Sequence, residues 1–449
     1  MSSAGRPPAV SWAGISRAAT FVLPTASVLV AALVFLGPGA LRPAFGARVR
    51  GLPADGASAL ALRVEVVRSL YEVNDSAGVQ DLLVEASAPG QTLRAFHGPT
   101  GPDGIAEVRL EGSAPIRGPV AIRVTALGAR PRLLAGGEMA LGHPEAARVD
   151  VGTLAGRASG AIPLRVEATR GFLASPFPEE LLVETSPGAE VEIAGPGLDL
   201  GSSAKKSAGP GGRVSFTVRA LAHQVELTVT ARARGETGRW EGTLPVIPGA
   251  MYLRPAGGDA VVPLLSPSPR ERAYLSFWST EGRIGGAVVP LARDAQGFYG
   301  GEVTLPDAPA AAVLYASVAG DPVERGAGTV AWPIRPKEGA VVPRPLELLL
   351  DGLPNAVERE KQRAWVTRRA GLLLIATAAL AEVLMLLMGG RASQRKLEAH
   401  MIDASGPLPE ADRAKLLGAT RERPVLRALL AVALVGLGFA MVAALATFR

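Results

Sequence analysis

Between residues 46 and 345 the chain is built from short runs in which apolar and polar residues alternate. In LRVEV at 62–66, Leu62, Val64 and Val66 point one way and Arg63 and Glu65 the other. That is the two-residue period of a strand with one buried face. AIRVTAL at 121–127 and VSFTVRA at 214–220 follow the same rule. Gly, Pro, Asp and Ser break the runs, and no long stretch of the region keeps a 3.6-residue period. The region is expected to be β throughout.

Three other stretches are apolar without alternation: 18–41, 370–388 and 425–448. Each is long enough to span a bilayer, which takes roughly 20 apolar residues at about 1.5 Å each. The first also reads as a signal peptide, although Phe45 spoils a small-x-small cleavage site near Ala44–Ala47. Arg359, Lys361, Arg363, Arg368 and Arg369 precede the second stretch, and Arg391, Arg395 and Lys396 follow it. Flanking charge therefore gives no vote on orientation. Residues 46–365 are placed in the periplasm, at a bacterial inner membrane, because sandwiches behind an export-like segment usually face outward.

Within the β region the sequence echoes itself. LRVEVVR from Leu62 returns as LRVEATR from Leu164, and DLLVEAS at 81–87 as ELLVETS at 180–186. TGPDGIAEVRL at 100–110 returns as AGPGGRVSFTV at 208–218, and PVAIRVTA at 119–126 as QVELTVTA at 224–231. Four echoes in one order predict two copies of one fold. A third unit, 274–307 with 311–322, repeats the theme of a turn feeding a strand. Asp103-Gly104 and Gln296-Gly297 stand where the chain must reverse, and glycine reaches the positive φ such turns often demand.

These turn-plus-strand units resemble bacterial immunoglobulin-like domains of the invasin, fibronectin-like or macroglobulin-like kind, over residues 55 to about 340. The resemblance implies a spacer, an adhesin or an assembly module. It transfers no functional residue.

The expected fold is mainly β: two or three tandem Ig-like β-sandwiches, an N-terminal transmembrane helix and a C-terminal transmembrane helical hairpin. The tail and anchor (or signal peptide) take 1–45. Sandwiches fill 46–150, 151–249 and 250–345, the second repeating the first. A linker and helical stalk take 346–369, a transmembrane helix 370–388, a short charged loop 389–424 and a second transmembrane helix 425–449. Gly436 and Gly438 in that last segment would allow close helix packing.

Composition removes several chemistries. The 449 residues contain no cysteine, which excludes disulfides, thiolate catalysis and cysteine-ligated metal. The net charge of +6 is scattered rather than banked on one stripe, which argues against nucleic acid. His97, His143, His223 and His400 show no metal-ligand spacing. No nucleophile elbow, Walker sequence or Rossmann fingerprint is present. No enzyme activity and no cofactor are expected. Asp75, Asp81, Asp103 and Glu107 could gather at one end of the first sandwich, where calcium competes with a solvated acidic rim.

Four residues stand out as candidates for interaction. Glu382 is a carboxylate inside an apolar segment, costly there and open to a partner helix or subunit. Tyr274 and Trp278 share one face of a strand and form either core or a docking patch. Trp365 precedes the second apolar segment, where an amphipathic ring suits the membrane interface. The chain is expected to act as a non-enzymatic, membrane-anchored envelope protein, a scaffold or binding arm that could serve as a subunit of a membrane complex. Its partners would be the bilayer and other membrane or envelope proteins. The alternatives are a sensor that binds glycan or peptide outside, and an accessory subunit of a cell-envelope enzyme.

Overall fold

The computed structural model describes residues 12–37, 40–142, 154–201, 203–254, 259–279, 282–307, 314–325, 329–335, 345–405, 409–412, 429–430, 432–433 and 436. These form two compact units. One comprises residues 1–44, 70–72 and 355–449, the other residues 45–69 and 73–354.

The larger unit is mainly β, and it carries three two-sheet sandwiches. In the first, one sheet runs in the order Glu347–Asp351, Ala44–Gly51, Ala59–Leu70, Val73–Ser76, with Ile105–Glu111 also paired to Ala59–Leu70. The facing sheet runs Gln91–Thr92, Leu82–Ala88, Val120–Ala126, Arg132–Met139, with Phe96–Gly98 beside Leu82–Ala88. Leu60, Leu62, Val64, Val66, Val108 and Leu110 of one sheet meet Leu82, Val84 and Val124 of the other, so the expected alternation builds this core. The turn ahead of Ile105–Glu111 needs its glycine. Gly104 has φ +74, and a Cβ there would lie 2.7 Å from Val66 O.

The second sandwich pairs the sheet Arg165–Ala168, Pro178–Glu184, Arg213–Ala220, Leu198–Leu200 with Gly156–Gly160, Glu236–Leu244, Val225–Ala233, Glu190–Ala194, Lys205–Ser207. It shares the first sandwich's plan, with a correction to the echoes. Ile105–Glu111 and Arg213–Ala220 are equivalent strands, as are Val120–Ala126 and Val225–Ala233. The partner of Ile105–Glu111 is Ala59–Leu70, and the partner of Arg213–Ala220 is Pro178–Glu184. The LRVE and LLVE echoes therefore fall one strand out of step. Such strings are the generic pattern of any half-buried strand, so they recur at non-equivalent places.

The third sandwich pairs Tyr252–Leu253, Val261–Ser266, Tyr299–Thr304, Ala292–Arg293 with Gly282–Pro290, Arg272–Ser279, Leu314–Ala319, Val330–Arg335. Its border with the second is stitched. Leu173–Ser175 pairs in parallel with Val246–Pro248, and Ala174 and Phe177 are buried in the third core rather than the second.

Two boundaries shift from the expected ones. Glu347–Asp351, expected in a linker, is a strand of the first sandwich. It pairs with Ala44–Gly51, covering that strand's edge, while Leu349 and Leu350 pack on the first core. Helix α2, Leu353–Ser405, then runs unbroken through the expected stalk and apolar segment and into the expected loop. Asp351 caps it, Oδ1 accepting from Leu353 N at 2.9 Å. The helix continues through Gly389 and Gly390, and the Arg, Gln, Lys, Glu and Ala residues that follow are good helix formers without proline.

Helix α1, Trp12–Leu36, belongs with most of α2 to the smaller unit. Small residues let the two approach: a Cβ on Gly371 would lie 2.5 Å from Val34 Cγ1. Ser27, Ala31, Ala364 and Ile375 are buried, and Arg363 Nη2 donates to Ala40 O at 3.1 Å. Among the described residues no helix is long and apolar enough to cross a membrane. The stretches 18–41 and 370–388 are largely helical. The third stretch lies mostly outside the described residues.

Candidate functional site

The first and third sandwiches meet across a buried polar cluster. Arg63 stands on the face of Ala59–Leu70 opposite the first core, where alternation predicts solvent. It is instead fully buried, because the third sandwich covers that face. Its guanidinium uses the whole fork. Nε donates to Glu107 Oε1 at 2.5 Å, Nη1 to Pro322 O at 2.7 Å, and Nη2 to Leu275 O at 2.9 Å and Glu324 Oε1 at 2.8 Å. Glu324, equally buried, accepts further bonds from Ser276 Oγ at 2.7 Å and Ser317 Oγ at 2.6 Å. Its φ of +54 is unusual for a residue with a side chain. Arg283 completes the cluster, donating to Glu107 Oε2 and Ser276 Oγ.

The two arginines and two glutamates balance in charge, which is what burial of ions requires. Burial pulls Arg63 toward its neutral form, but the Glu107 and Glu324 carboxylates outweigh it and the net shift is upward. Gly286 makes room, since a Cβ there would lie 2.4 Å from Glu107 Oε2. Around the cluster Arg109 Nη1 donates to Ile284 O at 2.9 Å, and Arg272 pairs with Asp103 at 3.2 Å.

This cluster absorbs the expected docking patch. Trp278 is 3% exposed and gives its indole N–H to Ser317 Oγ at 3.0 Å, so it offers no surface to a partner. Tyr274 is half-buried. Its hydroxyl donates to Asp103 Oδ2 at 3.4 Å, and burial followed by the Asp103 charge raises its pKa. Both residues serve contacts within this unit. The calcium alternative also dissolves: Asp75 pairs with Arg68, Asp81 with His97, Asp103 with Arg272, and Glu107 with two arginines. Among the described residues no three His, Asp or Glu side chains could hold a metal.

His97 and His223 are exposed on the sandwiches and His400 is exposed on α2, while His143 lies outside the described residues. Trp365 is 54% exposed on α2, with the Arg369 guanidinium 4.2 Å from its ring centroid. Glu382 is on α2, and its side chain lies outside those described.

A second polar junction joins the second and third sandwiches. Arg170 Nη1 donates to Leu253 O at 2.7 Å, and its guanidinium sits 4.7 Å from the Trp332 ring centroid and 5.1 Å from that of Tyr252. Glu179 lies 3.7 Å from Arg170 and is 6% exposed. Phe172 and Phe177 pack on Trp332 and Tyr252, each with centroids 4.9 Å apart.

Sequence reasoning missed both junctions, though each left a trace. In ALALRVEVV, apolar residues occupy both parities, the mark of a strand covered on two faces. In FPEELLVE, Glu179 shares its parity with Leu181 and Val183.

No protein-family model matches the chain, and no curated protein does. Among solved structures it is similar to the D0-D1 domain of intimin, at 14% identity and TM-score 0.15, over 45% of this chain and 97% of that one. It is also similar to a tetra-tandem repeat from the extending region of a large adhesion protein, at 13% identity and TM-score 0.16, over 65% and 72%. A Salmonella alpha-2-macroglobulin mutant is similar at 12% identity and TM-score 0.16, over 66% of this chain and 23% of that one. Overlaps this low carry no argument about activity or partners. The tandem two-sheet sandwich architecture rests on the paired sheets themselves.

Proposed function

We propose that the chain is a non-enzymatic, membrane-anchored envelope protein whose three sandwiches form a braced scaffold or binding arm. Its partners are the bilayer and other membrane or envelope proteins. The sandwiches lie in the periplasm of a bacterial inner membrane, and the chain serves as a subunit of a membrane complex.

One observation carries the anchoring: where the apolar side chains of α2 point. Ala364, Gly371 and Ile375 share one buried face. Leu372, Leu373, Leu374, Leu380, Leu384, Met385 and Met388 are all at least 40% exposed. At about 100° per residue they cover roughly 220° of the helix. An apolar surface that wide is unfavourable in water and natural in lipid. Arg369 and Arg391 bracket it, and at about 1.5 Å per residue they stand roughly 33 Å apart, close to the thickness of a hydrocarbon core. Trp365 and Arg369 then fall at the interface, where such side chains are favoured. The reading rests on this placement rather than on the mean apolarity of the helix.

The braced arm is supported by the two polar junctions, which tie the third sandwich to both others. The test is to tag the C-terminus, wash native membranes with alkaline carbonate, and purify in mild detergent with mass spectrometry of co-purifying chains. Retention by the pellet together with stoichiometric membrane partners supports the reading. Release by carbonate removes the anchor, and purification of the chain alone removes the subunit role.

The unbroken run of α2 from the first sandwich past Met388 favours a second reading, a transducer. Glycan or peptide bound by the sandwiches would then change cross-linking within 389–405, and a scaffold would show no change.

A further inference from the structure

The junction of the second and third sandwiches holds a group that the scaffold reading does not use. Strand Pro178–Glu184 buries Glu179, Leu181 and Val183 on one face, so a carboxyl occupies a core position. Its Oε1 has no hydrogen-bond partner. Arg170, the cation facing it, is 3.7 Å away, beyond hydrogen-bond range.

Arg170 is committed elsewhere. It donates to Leu253 O and lies over the Tyr252 and Trp332 rings, contacts that hold the third sandwich. Tyr252 is the other titratable group facing the pair, its hydroxyl donating to Pro178 O at 3.3 Å, and Arg254 adds its charge at Tyr252. Beside these groups the Phe172–Phe177 segment reaches out of the second sandwich, and Ala174 and Phe177 are buried in the third core.

A neutral Glu179 makes no demand on Arg170. An ionised Glu179 needs either water or the guanidinium, because a buried carboxylate with an unpaired oxygen is costly. Nη1 already donates to Leu253 O, so a bond to Glu179 requires the guanidinium to shift from its place on the rings. One cation is thus contested by a carboxylate of its own sandwich and by the neighbouring sandwich.

We propose that this junction is a proton-operated clasp: a proton on Glu179 leaves Arg170 holding the third sandwich and the 172–177 plug seated, and loss of that proton draws Arg170 away and loosens the plug. Burial pushes the Glu179 carboxyl up to about 7, with Arg170 only partly opposing it. The clasp therefore responds near neutral pH, tight on the acid side and loose on the alkaline side. This inference does not depend on membrane anchoring.

The test is hydrogen exchange on the full-length chain in detergent micelles at pH 5.5 and pH 8.0, corrected for intrinsic exchange, with Glu179→Gln in parallel. If opening returns Glu179 to its ordinary value, linkage predicts an opening equilibrium about 25-fold larger at the higher pH. The rise should appear at 172–178 and 251–254 and be absent in Glu179→Gln. Equal protection of the natural chain at both pH values overturns the clasp, as does an equal rise in the variant. A carboxyl NMR titration of the natural chain decides the matter independently: a Glu179 midpoint near neutrality supports the clasp, and one near 4.5 ends it.

Discussion

Replacing Arg63 with methionine removes the centre of the junction between the first and third sandwiches while keeping an apolar stem of similar length. The fully buried Glu324 then keeps only the Ser276 and Ser317 hydroxyls, and Glu107 keeps Arg283. The carbonyls of Leu275 and Pro322 lose the guanidinium as donor. Deleting one partner of a buried ion pair costs about 3–5 kcal/mol, because the remaining charge stays desolvated. The expected loss is in that range. Lysine restores the charge but not the fork, so Arg63→Lys should lose roughly half as much. The assay is urea unfolding of the full chain in mild detergent, followed by tryptophan fluorescence. Trp278 donates to Ser317, itself bonded to Glu324, and so reports on the site. A loss below about 1 kcal/mol at neutral pH, or a lysine variant equal to the natural chain, would mean that the junction does not depend on the Arg63 fork.

Glu179 gives the fold a pH slope. Its pKa, near 7 when folded against an ordinary 4.5, contributes stability in full below the ordinary value and loses it as pH rises toward 7. The loss is about 3 kcal/mol, and in Glu179→Gln thermal melts should lack that slope. Gly352→Ala places a Cβ 1.9 Å from Leu134 O, a backbone atom that cannot step aside; denaturant melts should show a loss of about 1–3 kcal/mol. Gly371→Leu should separate α1 from α2 while leaving the sandwiches folded, seen as loss of a cross-link between cysteines placed at position 34 and beside position 371. Leu373→Lys combined with Leu374→Lys should shift the chain from the carbonate-resistant pellet to the wash if that face of α2 lies in lipid.

The alternation of short runs determined the sandwich class and most of the strands. The inward residues of Ala59–Leu70 are the ones its two-residue period selects. Turn chemistry was legible too: Gly104 and Gly297 both take positive φ where reversals were expected. Strand equivalence was not legible, because LRVE-like strings fit any half-buried strand and the echo alone cannot say which neighbour each one pairs with.

Local sequence by itself thus settled which residues leave water within each sandwich, since period and turns are properties of neighbours in the chain. What covers a strand's second face is a property of residues hundreds of positions away, and it emerges when the sandwiches dock. Arg63 read as a solvent residue until Glu324 and Pro322 closed over it. Trp278 read as either core or a docking patch until its burial and its bond to Ser317 made it core. Glu347–Asp351 read as linker because five residues carry too little pattern to reveal that they complete a sheet begun at Ala44. Contacts of that range are fixed by how whole sandwiches dock, and no local period encodes them.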